Sequence, residues 1–106
     1  MSRAKTAEVL AAMRELEDFF RRHRVNYLSV MADERRRVEK ISAPTLPESE
    51  QRRIVDLFGG MGTLNDVVVS RQNRHDVDDE QGANEQLDQM TTRLWSLVSA
   101  PTDVRP

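Results

Sequence analysis

The most pointed chemistry in the chain lies in one stretch, Leu57-Phe58-Gly59-Gly60-Met61-Gly62-Thr63-Leu64-Asn65-Asp66, which holds three of the four glycines. Successive backbone N–H groups in a glycine turn that opens a helix can cradle phosphate or carboxylate. The stretch departs from the known phosphate patterns, however. No lysine follows as in G-x-x-x-x-G-K-[ST], and the segment before it reads as a helix rather than a strand. A tight turn between two helices is the better account, with an anion or small-ligand site as the alternative. In that turn Gly59 is expected to be left-handed and to close the preceding helix. Gly60 and Gly62 continue the reversal, and Thr63 caps a following helix with Asp66 three residues on. Asn65 can bond the turn's backbone and fix it. Met61, Asn65 and Asp66 are then candidates for a partner-binding surface.

A second group of chemical residues is acidic: Asp76-Val77-Asp78-Asp79-Glu80. A calcium loop starting at Asp76 needs glycine at its sixth position and glutamate at its twelfth. Gln81 and Leu87 stand there, so the segment reads as a solvated loop. Asp76, Asp78 and Asp79 join the partner-binding candidates, and the acids from Asp78 suit the positive start of a last helix. The two histidines, His23 and His75, sit among arginines and lack metal-ligand spacing. Cysteine is absent, which excludes disulfides, thiolate metal sites and thiol nucleophiles. No nucleophile-elbow pattern occurs. No catalytic residue, metal or cofactor is expected.

Charge narrows the partner. With 16 Lys/Arg and 18 Asp/Glu the net charge is −2, too balanced for a nucleic-acid or anionic-membrane footprint. The arginines at 21, 22, 24 and 35–37 lack interleaved aromatics other than Tyr27. They read as a solvated face with helical ion pairs such as Asp33 with Arg37. No apolar run approaches the roughly 18–20 residues of a membrane span. No apolar run follows the N-terminal charges as a signal peptide requires. A cytoplasmic location is expected.

The elements that position these residues are helical. Val9, Met13, Leu16 and Phe20 recur at helical spacing over residues 4–22, with Leu10 and Phe19 widening the stripe. A second helix is predicted over 27–40, capped by Asn26; one kinked helix from 4 to 40 is the alternative. Ser42 to Pro47 is a linker. Thr45-Leu46-Pro47-Glu48 has capping-box form and predicts a helix over 46–58. A short helix over 64–71 follows the glycines, although Val67-Val68-Val69 is strand-like. The last helix, 79–99, carries Ala83, Leu87, Met90, Leu94 and Leu97 on one stripe. The reading is an all-α bundle of four to five helices in one compact domain over 1–100, with a disordered tail over 101–106.

The glycine stretch resembles that of a family of small bacterial proteins of unknown function, which share an L-F-G-G-M-G-S-[LF]-N-D-like segment followed by a short apolar helix. Only Thr63 departs, conservatively, from the serine. Glu15 to His23 looks like the opening helix of that family. The resemblance implies a small cytoplasmic protein of the kind often encoded beside antibacterial toxins. It implies no activity and no catalytic residue. The expected function is therefore protein binding, as an immunity protein that occludes a cognate toxin. The alternatives are an anion or small-ligand binding protein or enzyme that uses the glycine turn, and a homo-oligomeric adaptor.

Overall fold

The computed structural model of the chain describes residues 4–59 and 63–99. Among these the order is α1 (Thr6–His23), α2 (Leu28–Glu39), α3 (Glu48–Asp56), two 3-10 turns (Leu64–Asp66 and Arg71–Asn73) and α4 (Glu80–Val98). The chain is an all-α bundle. α1 packs against both α2 and α4, and α3 packs against α4.

α1 forms because Val9, Met13, Leu16 and Phe20 share one side with Ala12 and Phe19, all of them buried. Its end settles the choice between one helix and two. Arg24 adopts a left-handed conformation, with φ 57°. The Arg24 N–H reaches Arg21 O at 3.3 Å, and the Val25 N–H reaches Phe20 O at 2.9 Å. This is a Schellman closure, with Val25 and Phe20 as its apolar contact. Without a glycine there, periodicity could not locate the break. The expected Asn26 cap is not formed: α2 starts at Leu28 with Tyr27 as its cap and no side-chain capping bond.

The linker is stitched to the N-terminus. Lys5 and Thr45 form an isolated antiparallel bridge, with Thr6 N–H on Pro44 O at 3.0 Å and Leu46 N–H on Ala4 O at 2.9 Å. Thr45 is held there and does not cap α3, so the expected start at Leu46 moves to Glu48, after Pro47 in an extended conformation.

Two expectations about the glycine stretch are corrected. Gly59 is not left-handed, because its φ lies outside the positive range. α3 instead winds down through 3-10 bonds from Leu57 to Ile54, Phe58 to Val55 and Gly59 to Asp56. Carbonyls at its end are met from across the turn. Leu64 N–H bonds Leu57 O at 2.8 Å, and Asn65 Nδ2 bonds Phe58 O at 2.7 Å. A reversed backbone at Gly59 is not needed to satisfy them. Gly60, Met61 and Gly62 lie outside the described residues.

The helix expected over 64–71 is a single 3-10 turn at Leu64–Asp66. Thr63 and Asp66 do form the expected capping box, with Thr63 N–H on Asp66 Oδ2 at 3.4 Å. The chain then leaves helical geometry at Val67, where ψ is 125°. The β-branched triplet favours this extended path, and one side chain holds it. Asn84 accepts from Val69 N–H at 2.8 Å and donates to Val69 O at 2.9 Å, as a neighbouring strand would. Asn84→Ala is expected to cost about 1–3 kcal/mol, because it strands the N–H of a buried residue. Urea melts would show this, and an unchanged midpoint would refute the clamp.

α4 follows expectation. Asp79 caps it through Gly82 N–H at 3.0 Å, and a Cβ on Gly82 would collide with that carboxylate. Leu87 and Leu94 join Leu16, Phe20 and Phe58 in one core, with Met90 half-buried against it. The helix ends at Val98. The tail beyond residue 99 lies outside the described residues.

Buried carboxylates tie α2 to its neighbours. Glu17 on α1 accepts from Arg35 Nε at 2.8 Å and Nη2 at 3.1 Å. Arg37 on α2 pairs with Glu50 on α3, and Arg53 on α3 pairs with Glu34 on α2. The expected Asp33–Arg37 pair is therefore replaced. Asp33, 69% exposed, pairs with Arg36, and Arg37 turns to the buried Glu50, whose desolvated charge gains more from a cation.

Candidate functional site

α4 presents Asp88, Thr91, Thr92 and Trp95 at i, i+3, i+4 and i+7, which puts them on one face. Opposite stands the end of α3, with Val55, Asp56 and Phe58, continued by Gly59 and Asn65. These residues line a cleft of about 610 Å³. Its aromatic wall is Trp95, 42% exposed, set edge-on to Phe58 with ring centroids 5.0 Å apart. The Asn65 bond to Phe58 O holds the far wall in place.

The polar lining accepts more than it donates. Among the described residues it contains two carboxylates, one amide and two hydroxyls, and no lysine, arginine or histidine. The carboxylates of Asp56 and Asp88 form no ion pair among the described residues. Thr91 Oγ1 donates to Asp88 O at 3.0 Å, which fixes that hydroxyl's proton and leaves its lone pairs toward other donors. An indole face beside two open carboxylates suits a cationic or apolar side chain, not an anion.

The cleft continues into a second of about 390 Å³ that shares Asn65, Asp88 and Thr91 and reaches Val67 and Val68. Val68 is 55% exposed. Two of the three exposed large hydrophobic residues among those described, Val68 and Trp95, thus lie along one groove, and the third, Val30, is on α2.

The model of a domain-of-unknown-function family, DUF6966, matches residues 21–78. The chain belongs to this family. No curated protein and no solved structure matches it. The DUF6966 match contains the α3 wall of the cleft and the glycine stretch, and it ends before α4. The α4 wall is therefore supplied by sequence outside the match.

In this DUF6966 chain the predicted partner-binding residues are divided. Asn65 lines the cleft, beside Gly59 of the predicted structural turn, while Asp66 forms the capping box with the turn residue Thr63, and these two line a smaller cleft beside Tyr27 and His75. The acidic loop is held elsewhere. Asp76 N–H bonds His23 O at 2.8 Å, and His23 Nδ1 stands 2.6 Å from Asp76 O. Asp78 O accepts from Arg71 at 3.1 Å, and Asp79 caps α4. None of these three lines the cleft: Asp76 is tied across the fold to His23 on α1, and the bonds of Asp78 and Asp79 are local. Met61, Gly60 and Gly62 lie outside the described residues. Among the described residues no group of three or more histidines and carboxylates is placed to hold a metal ion, and no helix is long and apolar enough to cross a membrane.

Asp56, Asp88, Thr91, Thr92 and Trp95 are absent from the sequence-derived candidates. The available signal was the i, i+3, i+4, i+7 spacing on α4. It was hidden because Trp95 adjoins the apolar stripe and reads as its flank.

Proposed function

We propose that this protein is a small helical protein-binding module, and that it serves as an immunity protein that neutralises a bacterial toxin by occlusion. The exposed Trp95 on Phe58, in a groove that runs on to Val68, carries the binding reading. Tryptophan is enriched among binding hot spots, and here it is exposed in a concave cleft that adjoins a second one lined by the exposed Val68. The resemblance of the glycine stretch to small bacterial proteins encoded beside toxins supports the finer role. Asn65 and Gly59 join that stretch to the cleft. A rigid face needs little ordering on binding, which favours steric cover of an active site. On this reading the protein works in the cytoplasm. The anion-binding alternative gains no charge support, since carboxylates, Asp56 and Asp66, flank the glycines.

Where a toxin gene neighbours the gene for this chain, co-expression with that toxin tests this. The wild-type chain is expected to suppress toxicity and to co-purify with the toxin. Trp95→Ser is expected to weaken binding by about 2 kcal/mol or more while the chain stays folded, its melting midpoint lowered by the loss of the Phe58 contact. Full rescue and undiminished binding by Trp95→Ser would move the binding face away from this cleft.

A further inference from the structure

We propose that the cleft receives an arginine side chain from the protein partner, its guanidinium lying on the Trp95 indole and bonded by the carboxylates of Asp56 and Asp88. The inference rests on the reading of this cleft as the partner-binding face, and it names the chemistry of the partner's anchor.

Charge complementarity carries it. Asp56 comes from the end of α3 and Asp88 from α4, so two separate elements bring negative charge to one cleft that holds no cation among the described residues. The buried carboxylates elsewhere in the fold, Glu17, Glu34 and Glu50, each have an arginine from another helix. Asp56 and Asp88 are exposed and form no ion pair among the described residues; the arginines nearest Asp56 on α3, Arg52 and Arg53, pair with Glu48 and Glu34. Trp95 adds the second half of an arginine site. A guanidinium is planar and weakly hydrated, and it stacks on an indole face while its edge donates hydrogen bonds. Lysine, a compact and strongly hydrated point charge, stacks less well and carries fewer donors. Asn65 and the threonine hydroxyls add acceptors for the remaining N–H groups. The adjoining groove along Val67 and Val68 provides apolar cover for a residue next to the arginine.

Trp95 is the sole tryptophan, so its fluorescence reports the cleft directly. The probe is a blocked tripeptide with arginine between two leucines. Its counterparts carry lysine or citrulline at the centre, citrulline keeping the shape without the charge. A saturable change in Trp95 emission is expected with the arginine peptide. The citrulline peptide should bind at least about tenfold more weakly, as for loss of a hydrogen-bonded charge. Asp56→Asn and Asp88→Asn should each weaken the arginine peptide by about tenfold without moving the melting midpoint. Equal affinity for arginine and citrulline peptides would overturn the proposal in favour of a purely apolar anchor. So would no saturable change up to about 10 mM peptide. The toxin co-purification separates the two readings. Trp95-dependent capture of the toxin with no arginine preference refutes the arginine anchor alone. Arginine-selective binding without toxin capture supports the anchor and refutes the immunity role.

Discussion

Phe20→Ala is expected to remove about 3–5 kcal/mol of folding stability. Phe20 has 0% exposure and sits where three parts of the fold meet. Its ring packs edge-on to Phe19 at 6.0 Å and to Tyr27 at 5.8 Å, and its carbonyl takes the Val25 N–H that closes α1. Alanine would leave a cavity between α1 and the start of α2, the place where the chain must turn without a glycine. A domain of this size has about 5–15 kcal/mol in total, so the loss is a large share. Urea denaturation should show a lower midpoint with a similar slope, the sign of lost stability in an otherwise similar fold. Phe20→Leu keeps most of the volume and should cost much less, under about 1.5 kcal/mol. Similar losses for leucine and alanine would show that ring contacts, and not the cavity, dominate here.

The helices were legible where a strong apolar period met a recognisable cap. α4 is the clearest instance: Leu87 and Leu94 share a stripe, and Asp79 is an ordinary N-cap residue. The errors came where local chemistry had two uses. Thr45 has the form of a cap, but the N-terminal segment takes it into a bridge with Lys5. Gly59 has the composition of a left-handed terminus, but Leu64 and Asn65 satisfy the carbonyls from across the turn. Val67 to Val69 fall within the helix expected over 64–71, although their branched side chains favour extended backbone. What holds them is Asn84, fifteen residues from Val69, and no local pattern announces that contact. The left-handed arginine at position 24 is equally silent, because only its bonds to α1 reveal it. The candidate site was half legible. The glycine stretch offers Asn65 as a partner-binding candidate and Gly59 only as a turn residue, and both stand along the cleft. Its other wall comes from Asp88 and Trp95, which only the packing of α4 beside α3 brings into view.

Glu17→Gln is the second substitution with a large expected effect, and it is a pH experiment as well as a stability one. Glu17 is buried on α1, and its carboxylate accepts from Arg35 at 2.8 and 3.1 Å and from Arg21 at 3.0 Å. The Arg35 hydrogen bonds hold its carboxyl below the usual glutamate range, against the opposing effect of burial. The unfolded chain therefore takes up the proton at a higher pH than the native chain does. The stabilisation is complete above the ordinary glutamate pKa, about 4.3, and is lost as pH falls through the lower native value. Glutamine keeps the shape and removes the charge. It should cost about 1.5–3 kcal/mol at pH 7, the range for hydrogen bonds to charged groups. Urea melts of both proteins at pH 7 and at steps below about pH 5 should then converge. The wild type should lose stability on acidification faster than Glu17→Gln, because only the wild type has this carboxylate to protonate. Parallel stability curves across that range would mean that Arg35 and Arg21 contribute nothing to folding through the charge of Glu17.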